Sequence, residues 1–254
     1  MRQEPRLPSV YRLVTVGRSD DAAETARSLA RGGAEDGTLV WAKPDQSGHA
    51  AEDFACALIL MPECALSTAV QLTYVGALGL AEALASLLPP APLVFAWPST
   101  VLLGRARLAE VRLETAPPPE SKESKESKEG NIDWLVLCAQ AHVGRRRPEE
   151  WEHLTSLCDI GGGDVTVEDV LEGFARHFLS WANRWLDDGF GPVRRSWLKR
   201  TESVGTEVTV AVGGAELTGT FIDVDPMGRL ELDTDGGRRT IEIYDTPFAA
   251  PAPS

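Results

Sequence analysis

Apolar runs of strand length recur along the first 198 residues, between polar or glycine-rich segments. A segment between the first two of these runs begins at Asp20 or Asp21 and ends at Gly32-Gly33. Its apolar residues have the spacing of an amphipathic helix. The segment 67–88 is rich in Ala, Gly and Leu without a proline, which favours a helix packed closely on a sheet. We therefore predict a mixed sheet with helices on one side. The predicted strands are 11–16, 38–42, 56–61, 93–96, 101–103, 108–114 and 134–143.

The clearest helix signal spans residues 166–188. Thr166 and Asp169 form a capping pattern at its start. Apolar residues then follow at spacings of three and four, among them Phe174, Phe178 and Trp181. We interpret this face as part of the core and not as a cofactor pocket.

After Trp197 the pattern changes to short β-segments separated by turns. Gly213-Gly214 and Asp235-Gly236 between alternating segments are typical of hairpins. This predicts a small separate β-barrel at residues 203–245. The expected domains are therefore 1–198 and 199–248.

The net charge of −13 opposes binding to phosphate backbones and anionic membranes, so neither nucleic acid nor a membrane is an expected partner. The apolar run 55–61 is too short to span a bilayer, and the first ten residues lack a signal-peptide core. The four cysteines are scattered without CxxC spacing, which suits a reducing compartment. We expect a cytoplasmic protein.

Residues 115–131 contain three prolines and three Ser-Lys-Glu triplets, a composition that cannot bury apolar area. We predict a solvated, mobile loop between two strands. Limited proteolysis should cut first within residues 117–131. Deletion of the triplets should leave the melting temperature nearly unchanged, because long surface loops are shortened at little cost.

Residues 97–114 read WPSTVLLGRARLAEVRLE. They resemble the signature of biotin protein ligases, which runs Lys-Trp-Pro-Asn-Asp, an apolar strand, a glycine turn and basic residues ending in a lysine before Leu-Ala-Gly. Ala96 stands at the first lysine, Ser99 and Thr100 at Asn-Asp, Arg107 at the second lysine and Glu110 at the glycine. The scaffold residues are kept and the chemical ones are changed.

Further matches follow in the same order along nearly the whole chain. The segment 37–40 resembles the family's Gly-Thr-Val-Val strand, and 155–157 resembles its Ala-Thr-Ser-Leu segment. The helix at 166–198 and the glycines of 205–230 resemble its late helix and its C-terminal barrel. The chain is similar to the bacterial biotin protein ligase family, part of the biotin/lipoate A/B ligase group. The resemblance implies an α+β fold: a ligase-like mixed sheet with helices, then a small SH3-like β-barrel.

An active member of that family makes biotinyl-AMP from biotin and ATP and passes biotin to a carrier lysine. Three further motifs of this chemistry differ here. The family's Ser-Thr-Asn corresponds to residues 21–23, Asp-Ala-Ala, and its arginine-rich loop over the adenylate to 48–51, Gly-His-Ala-Ala. Its Gly-Ile-Gly-Ile-Asn strand corresponds to 138–142, Cys-Ala-Gln-Ala-His, which adds bulk. These changes imply that the ligand groups are no longer held.

The resemblance places a reduced ligand cleft over the sheet, with Arg107 at the family's lysine position. Its expected rim, from His49, Arg105 and Arg107, would bind a small anion or an acidic side chain of a partner. The candidate ligand-binding residues are Gly48, His49, Trp97, Arg105, Arg107, Gln140 and His142.

We predict a biotin protein ligase-like protein that has lost ligase activity and serves as a binding or assembly protein with a protein partner. No cofactor and no metal are expected, and the oligomeric state is left open, a homodimer included. The alternative is a diverged biotin/lipoate-type ligase or acyltransferase that forms an acyl-adenylate from ATP. Arg107, His49 or Cys138 would then have new roles. His49, His142 and Cys138 leave two options open, a Cys/His acyl-transfer pair or a metal site, although no third ligand or orienting carboxylate lies at a useful spacing. Only this alternative requires biotin, ATP and Mg²⁺.

Overall fold

A computed structural model describes residues 4–17, 19–43, 53–115, 132–145 and 153–243. Seven strands form one sheet in the order β1-β2-β3-β7-β6-β5-β4. β1 and β2 are parallel, and the other neighbours are antiparallel, so the sheet is mixed as predicted. The strands are β1 (Arg12–Val16), β2 (Thr38–Ala42), β3 (Phe54–Leu60), β4 (Leu93–Ala96), β5 (Thr100–Leu103), β6 (Ala106–Thr115) and β7 (Leu135–Ala141).

Helices cover both faces of this sheet, so the prediction of helices on one side is wrong. The helix α1 (Ser19–Arg31) connects the parallel strands β1 and β2 and packs its alanines on one face. The other face is covered by α3 (Leu72–Leu87) and α4 (Val167–Asp188). The sequence of β2 contains a sign of this, since Leu39–Ala42 is a continuous apolar run, which is typical of strands covered on both faces. In the structure every residue of β2 is buried.

The predicted 67–88 helix is two helices, α2 (Leu66–Ala69) and α3. A Cβ atom added to Gly79 of α3 would lie 2.9 Å from backbone atoms of Phe178, so the glycine allows α3 and α4 to approach closely. The segment Leu66–Leu87 is long and apolar enough to cross a membrane. Nevertheless, 78% of the apolar 18-residue stretch within it is buried in the protein, as in the core helix of a globular domain.

The capping box predicted at Thr166 is present. The Thr166 hydroxyl accepts a hydrogen bond from the Asp169 backbone N–H, and the Asp169 carboxylate accepts one from the Thr166 backbone N–H. A short helix α5 (Phe190–Leu198) follows α4 after Gly189. The predicted apolar stripe of α4 is core, because Phe174, Phe178 and Trp181 are buried.

The C-terminal strands form a separate four-stranded antiparallel sheet in the order β11-β10-β9-β8. This confirms the two predicted hairpins and the α+β class. Several polar contacts join this sheet and its turns to the rest of the protein. The Tyr74 hydroxyl donates to the Gly228 carbonyl at 2.7 Å, and the Arg194 side chain donates to the Val224 carbonyl and pairs with Asp223 of β9. The strands are β8 (Glu207–Val212), β9 (Ala215–Val224), β10 (Leu230–Thr234) and β11 (Gly237–Ile241).

Candidate functional site

Strand β6 presents four charged side chains on one face of the sheet, and their signs alternate along the strand. They are Arg107, Glu110, Arg112 and Glu114, and all four line the same cleft. The face is the one covered by α1, which adds Arg27 to the cleft. We call these four residues of β6 the charge ladder.

A β-bulge makes the charge ladder continuous. In a regular strand Arg107 and Glu110 would lie on opposite faces, because successive side chains alternate. Here Val101 of β5 pairs with Ala109, whereas Leu102 pairs with Arg107, so β6 contains one additional residue. The bulge shifts the alternation by one position and brings Arg107 and Glu110 to the same face.

The cleft has a volume of about 470 Å³ and lies between α1 and strands β3, β6 and β7. Three of the predicted ligand-binding residues line it, namely Arg107, Gln140 and His142. The lining combines small apolar side chains with both signs of charge. Its residues are Ala23, Arg27, Asp53, Phe54, Ala55, Arg107, Ala109, Glu110, Arg112, Glu114, Gln140, Ala141 and His142.

The charges of the cleft are paired within the protein. Glu110 lies between two arginines: one carboxylate oxygen is 3.4 Å from Arg107 Nη1 and the other is 3.7 Å from Arg112 Nε. Glu114 pairs with Arg27 of α1 at 3.1 Å. Three arginines and three carboxylates line the cleft, so it carries no net charge with histidine neutral.

His142 lies at the end of the cleft beside Asp53. Its Nδ1 is 3.0 Å from one carboxylate oxygen of Asp53, and the Val143 backbone N–H donates to the other at 3.3 Å. The carboxylate therefore fixes both the ring and the backbone that follows β7. The pair orients the imidazole of His142 towards the cleft that this residue lines.

Cys138 does not fit the Cys/His acyl-transfer pair considered above. The residue is buried, and its Sγ lies 4.0 Å from a Glu114 carboxylate oxygen. Burial, and secondarily the charge of Glu114, raises the pKa of the Cys138 thiol to about 12, so the thiol stays protonated at neutral pH. Four residues along an extended chain also separate it from His142 by about 13 Å.

Trp97 and Arg105 are not among the residues that line the cleft. The Trp97 indole N–H donates to the Tyr74 hydroxyl at 2.7 Å, next to the contact with the C-terminal sheet. Arg105 is exposed in the turn between β5 and β6 and does not line the cleft, which differs from the expected rim. Gly48 and His49 lie outside the described residues, and the proposed loop at 115–131 also lies outside them, apart from Thr115 at the end of β6.

Several charged cleft residues were not among the predicted site residues: Arg27, Asp53, Glu110, Arg112 and Glu114. The period-two pattern of Glu110, Arg112 and Glu114 was a signal that these side chains share a face. Arg27 had no comparable signal, because only the packing of α1 on the sheet places it here. Within the ranges that the structure describes, no three His, Cys, Asp or Glu residues gather as metal ligands.

Two family models match the chain. Residues 7–199 match the biotin/lipoate A/B protein ligase family, and residues 204–243 match the biotin protein ligase C-terminal domain. The second match agrees with the four-stranded C-terminal sheet and supports the SH3-like assignment.

Individual proteins agree with these models. A biotin–[acetyl-CoA-carboxylase] ligase of Paracoccus denitrificans is 29% identical over 199 residues, which cover 78% of this chain and 81% of that protein. A biotin protein ligase-like protein of unknown function from Silicibacter sp. TM1040 has the same fold, with a TM-score of 0.78, 23% identity and coverage of 93% and 96% of the two chains.

The biotin protein ligase of Aquifex aeolicus also shares the fold, with a TM-score of 0.70, 19% identity and coverage of 91% and 95%. The first family model spans well over half of the chain, and the mixed sheet, the late helices and the C-terminal sheet follow in the family's order. This chain therefore belongs to the biotin/lipoate A/B protein ligase family and carries the biotin protein ligase C-terminal domain after it.

Proposed function

We propose that this protein has lost biotin ligase activity and acts as a binding or assembly protein in the cytoplasm. The observation that carries the proposal is the position of Glu110 between Arg107 and Arg112. Arg107 stands where the family resemblance expects a lysine, and Glu110 stands where it expects a glycine. The one cation kept at a family position is thus neutralised by a carboxylate that the family lacks.

The energetic consequence is large for a ligand with several negative charges. A charge-assisted hydrogen bond to a buried anion contributes about 1.5–3 kcal/mol. A carboxylate or triphosphate in the cleft would have to displace Glu110 from its arginines or bind beside it against like-charge repulsion. Several such losses reduce the affinity for an adenylate by many powers of ten.

The bottom of the cleft supports the same proposal. Gln140 lies directly opposite Glu110 on the neighbouring strand, and both side chains line the cleft. The resemblance expects a glycine at position 140, with room for a ligand. A longer polar side chain there reduces that room and offers an amide that binds uncharged groups as readily as charged ones.

A partner that suits this cleft is a protein segment with uncharged or zwitterionic groups. Paired charges of both signs favour ligands that present donors and acceptors together. A ligand with a net negative charge is repelled by both Glu110 and Glu114. This changes the expected ligand from an acidic side chain to a neutral or zwitterionic one. The oligomeric state of the protein forms no part of the proposal.

A diverged ligase or acyltransferase is the second candidate, favoured by the 29% identity to the Paracoccus denitrificans ligase. It requires the cleft to bind both an acyl group and ATP. A binding titration therefore distinguishes the two candidates.

Isothermal titration calorimetry with biotin, ATP or both should detect no saturable binding at ligand concentrations up to about 1 mM, the upper end of ordinary enzyme KM values. The physical reason is the internal pairing of Arg107 by Glu110. The Paracoccus denitrificans ligase serves as the positive control under the same conditions. Saturable binding of both ligands to this protein would refute the proposal and support the second candidate.

A further inference from the structure

We propose that Glu110 determines the ligand specificity of the cleft by excluding anions. Its carboxylate occupies the position between two guanidinium groups at which a phosphate or carboxylate of a ligand would bind. The inference rests on the proposed function in one respect, that the cleft is a binding site. It adds the class of ligand that the cleft rejects and the residue responsible.

The geometry gives Glu110 two partners at once. Oε2 faces Arg107 Nη1 at 3.4 Å and Oε1 faces Arg112 Nε at 3.7 Å, and the side chain is only 18% exposed. A planar group with two oxygens that reaches two cations is the arrangement that a ligand phosphate or carboxylate adopts between arginines. Glu110 therefore acts as an internal substitute for a bound anion.

The two arginines keep donors that Glu110 does not satisfy. Arg112 Nε is buried, and within the described part of the chain it makes no hydrogen bond, because its distance to Glu110 exceeds that of one. A guanidinium has five N–H donors, and Arg107 uses one of them on Glu110. Removal of the Glu110 charge would thus leave two cations with unused donors facing a cleft of about 470 Å³.

The test is the binding of inorganic pyrophosphate to the full-length protein, measured by isothermal titration calorimetry. Glu110→Gln removes the charge and keeps the shape of the side chain. We expect this variant to bind pyrophosphate about tenfold or more tightly than the parent, since two charge-assisted contacts become available. Adding Arg107→Ala to Glu110→Gln should abolish the gain.

Glu216→Gln is the matched control. Glu216 is exposed on β9 of the C-terminal sheet and does not line the cleft, so its substitution changes the net charge equally without touching the cleft arginines. This variant should bind pyrophosphate within about twofold of the parent, because an exposed charge contributes little. An equal gain in pyrophosphate affinity in both variants would show that the effect comes from the change in net charge, and it would overturn the inference.

A folded Glu110→Gln variant that binds no more tightly than the parent would also overturn it. If circular dichroism shows this variant unfolded, Glu110→Thr provides the same test with a residue that favours strands. Failure of this inference and failure of the proposed function are distinguishable. A parent protein that makes biotinyl-AMP refutes the loss of activity, whereas the comparison of Glu110→Gln with Glu216→Gln decides only the role of Glu110.

Discussion

Purified protein incubated with ATP, biotin and a biotin carrier domain should label the carrier at least about 100-fold more slowly than the Paracoccus denitrificans ligase does. Loss of two charge-assisted hydrogen bonds of about 1.5–3 kcal/mol each corresponds to roughly 10²–10⁴ in rate, because each 1.36 kcal/mol is a factor of ten. Arg107 is held by Glu110, and Gln140 lies opposite in the same cleft. The rate of carrier biotinylation is the measurement.

Trace labelling needs a control, because a contaminating ligase from the expression host would give the same product. Arg107→Ala distinguishes the two sources: contaminant activity is unaffected by this substitution, whereas activity of this cleft falls. Arg105→Ala is the matched surface variant, since Arg105 is exposed and does not line the cleft. A rate close to that of the Paracoccus denitrificans ligase, abolished by Arg107→Ala and kept by Arg105→Ala, would contradict the proposed function.

Trp197→Ala should lower the free energy of unfolding by about 3–5 kcal/mol, the usual effect of truncating a buried aromatic residue. Trp197 is fully buried and packs against three aromatic rings from separate parts of the chain. Its ring stacks on Phe95 at 5.7 Å, meets Tyr74 edge-on at 5.3 Å and lies 6.3 Å from Phe221 of the C-terminal sheet. The side chain therefore joins the two sheets as well as filling the core.

Urea denaturation followed by circular dichroism measures the change. The loss is a large part of the total stability of about 5–15 kcal/mol that native domains have. Leu186→Ala is the control, because Leu186 is 71% exposed and its substitution should change stability by less than about 0.5 kcal/mol. A loss below about 1 kcal/mol for Trp197→Ala would show that the junction between the sheets is not a principal part of the core.

The elements that local patterns specify were predictable. The capping pair Thr166 and Asp169 and the spacing of Phe174 and Phe178 are properties of one helix, so the sequence reveals them directly. The C-terminal hairpins were predictable for the same reason, because their turn residues are adjacent in the chain. The side of the sheet that each helix covers was predicted wrongly for α1, since it depends on the crossover between β1 and β2.

The candidate site was also predictable only in part. The sequence by itself determined the family, the replacement of a lysine by Arg107 and the replacement of a glycine by Glu110, because these follow from matching one short segment. Only the tertiary structure decided that Arg107 and Glu110 pair, since the bulge opposite β5 reverses the face on which Arg107 lies. It likewise placed Trp97 at the junction with the C-terminal sheet. These contacts depend on strand register and on the packing of elements distant in sequence, which residue spacing does not encode.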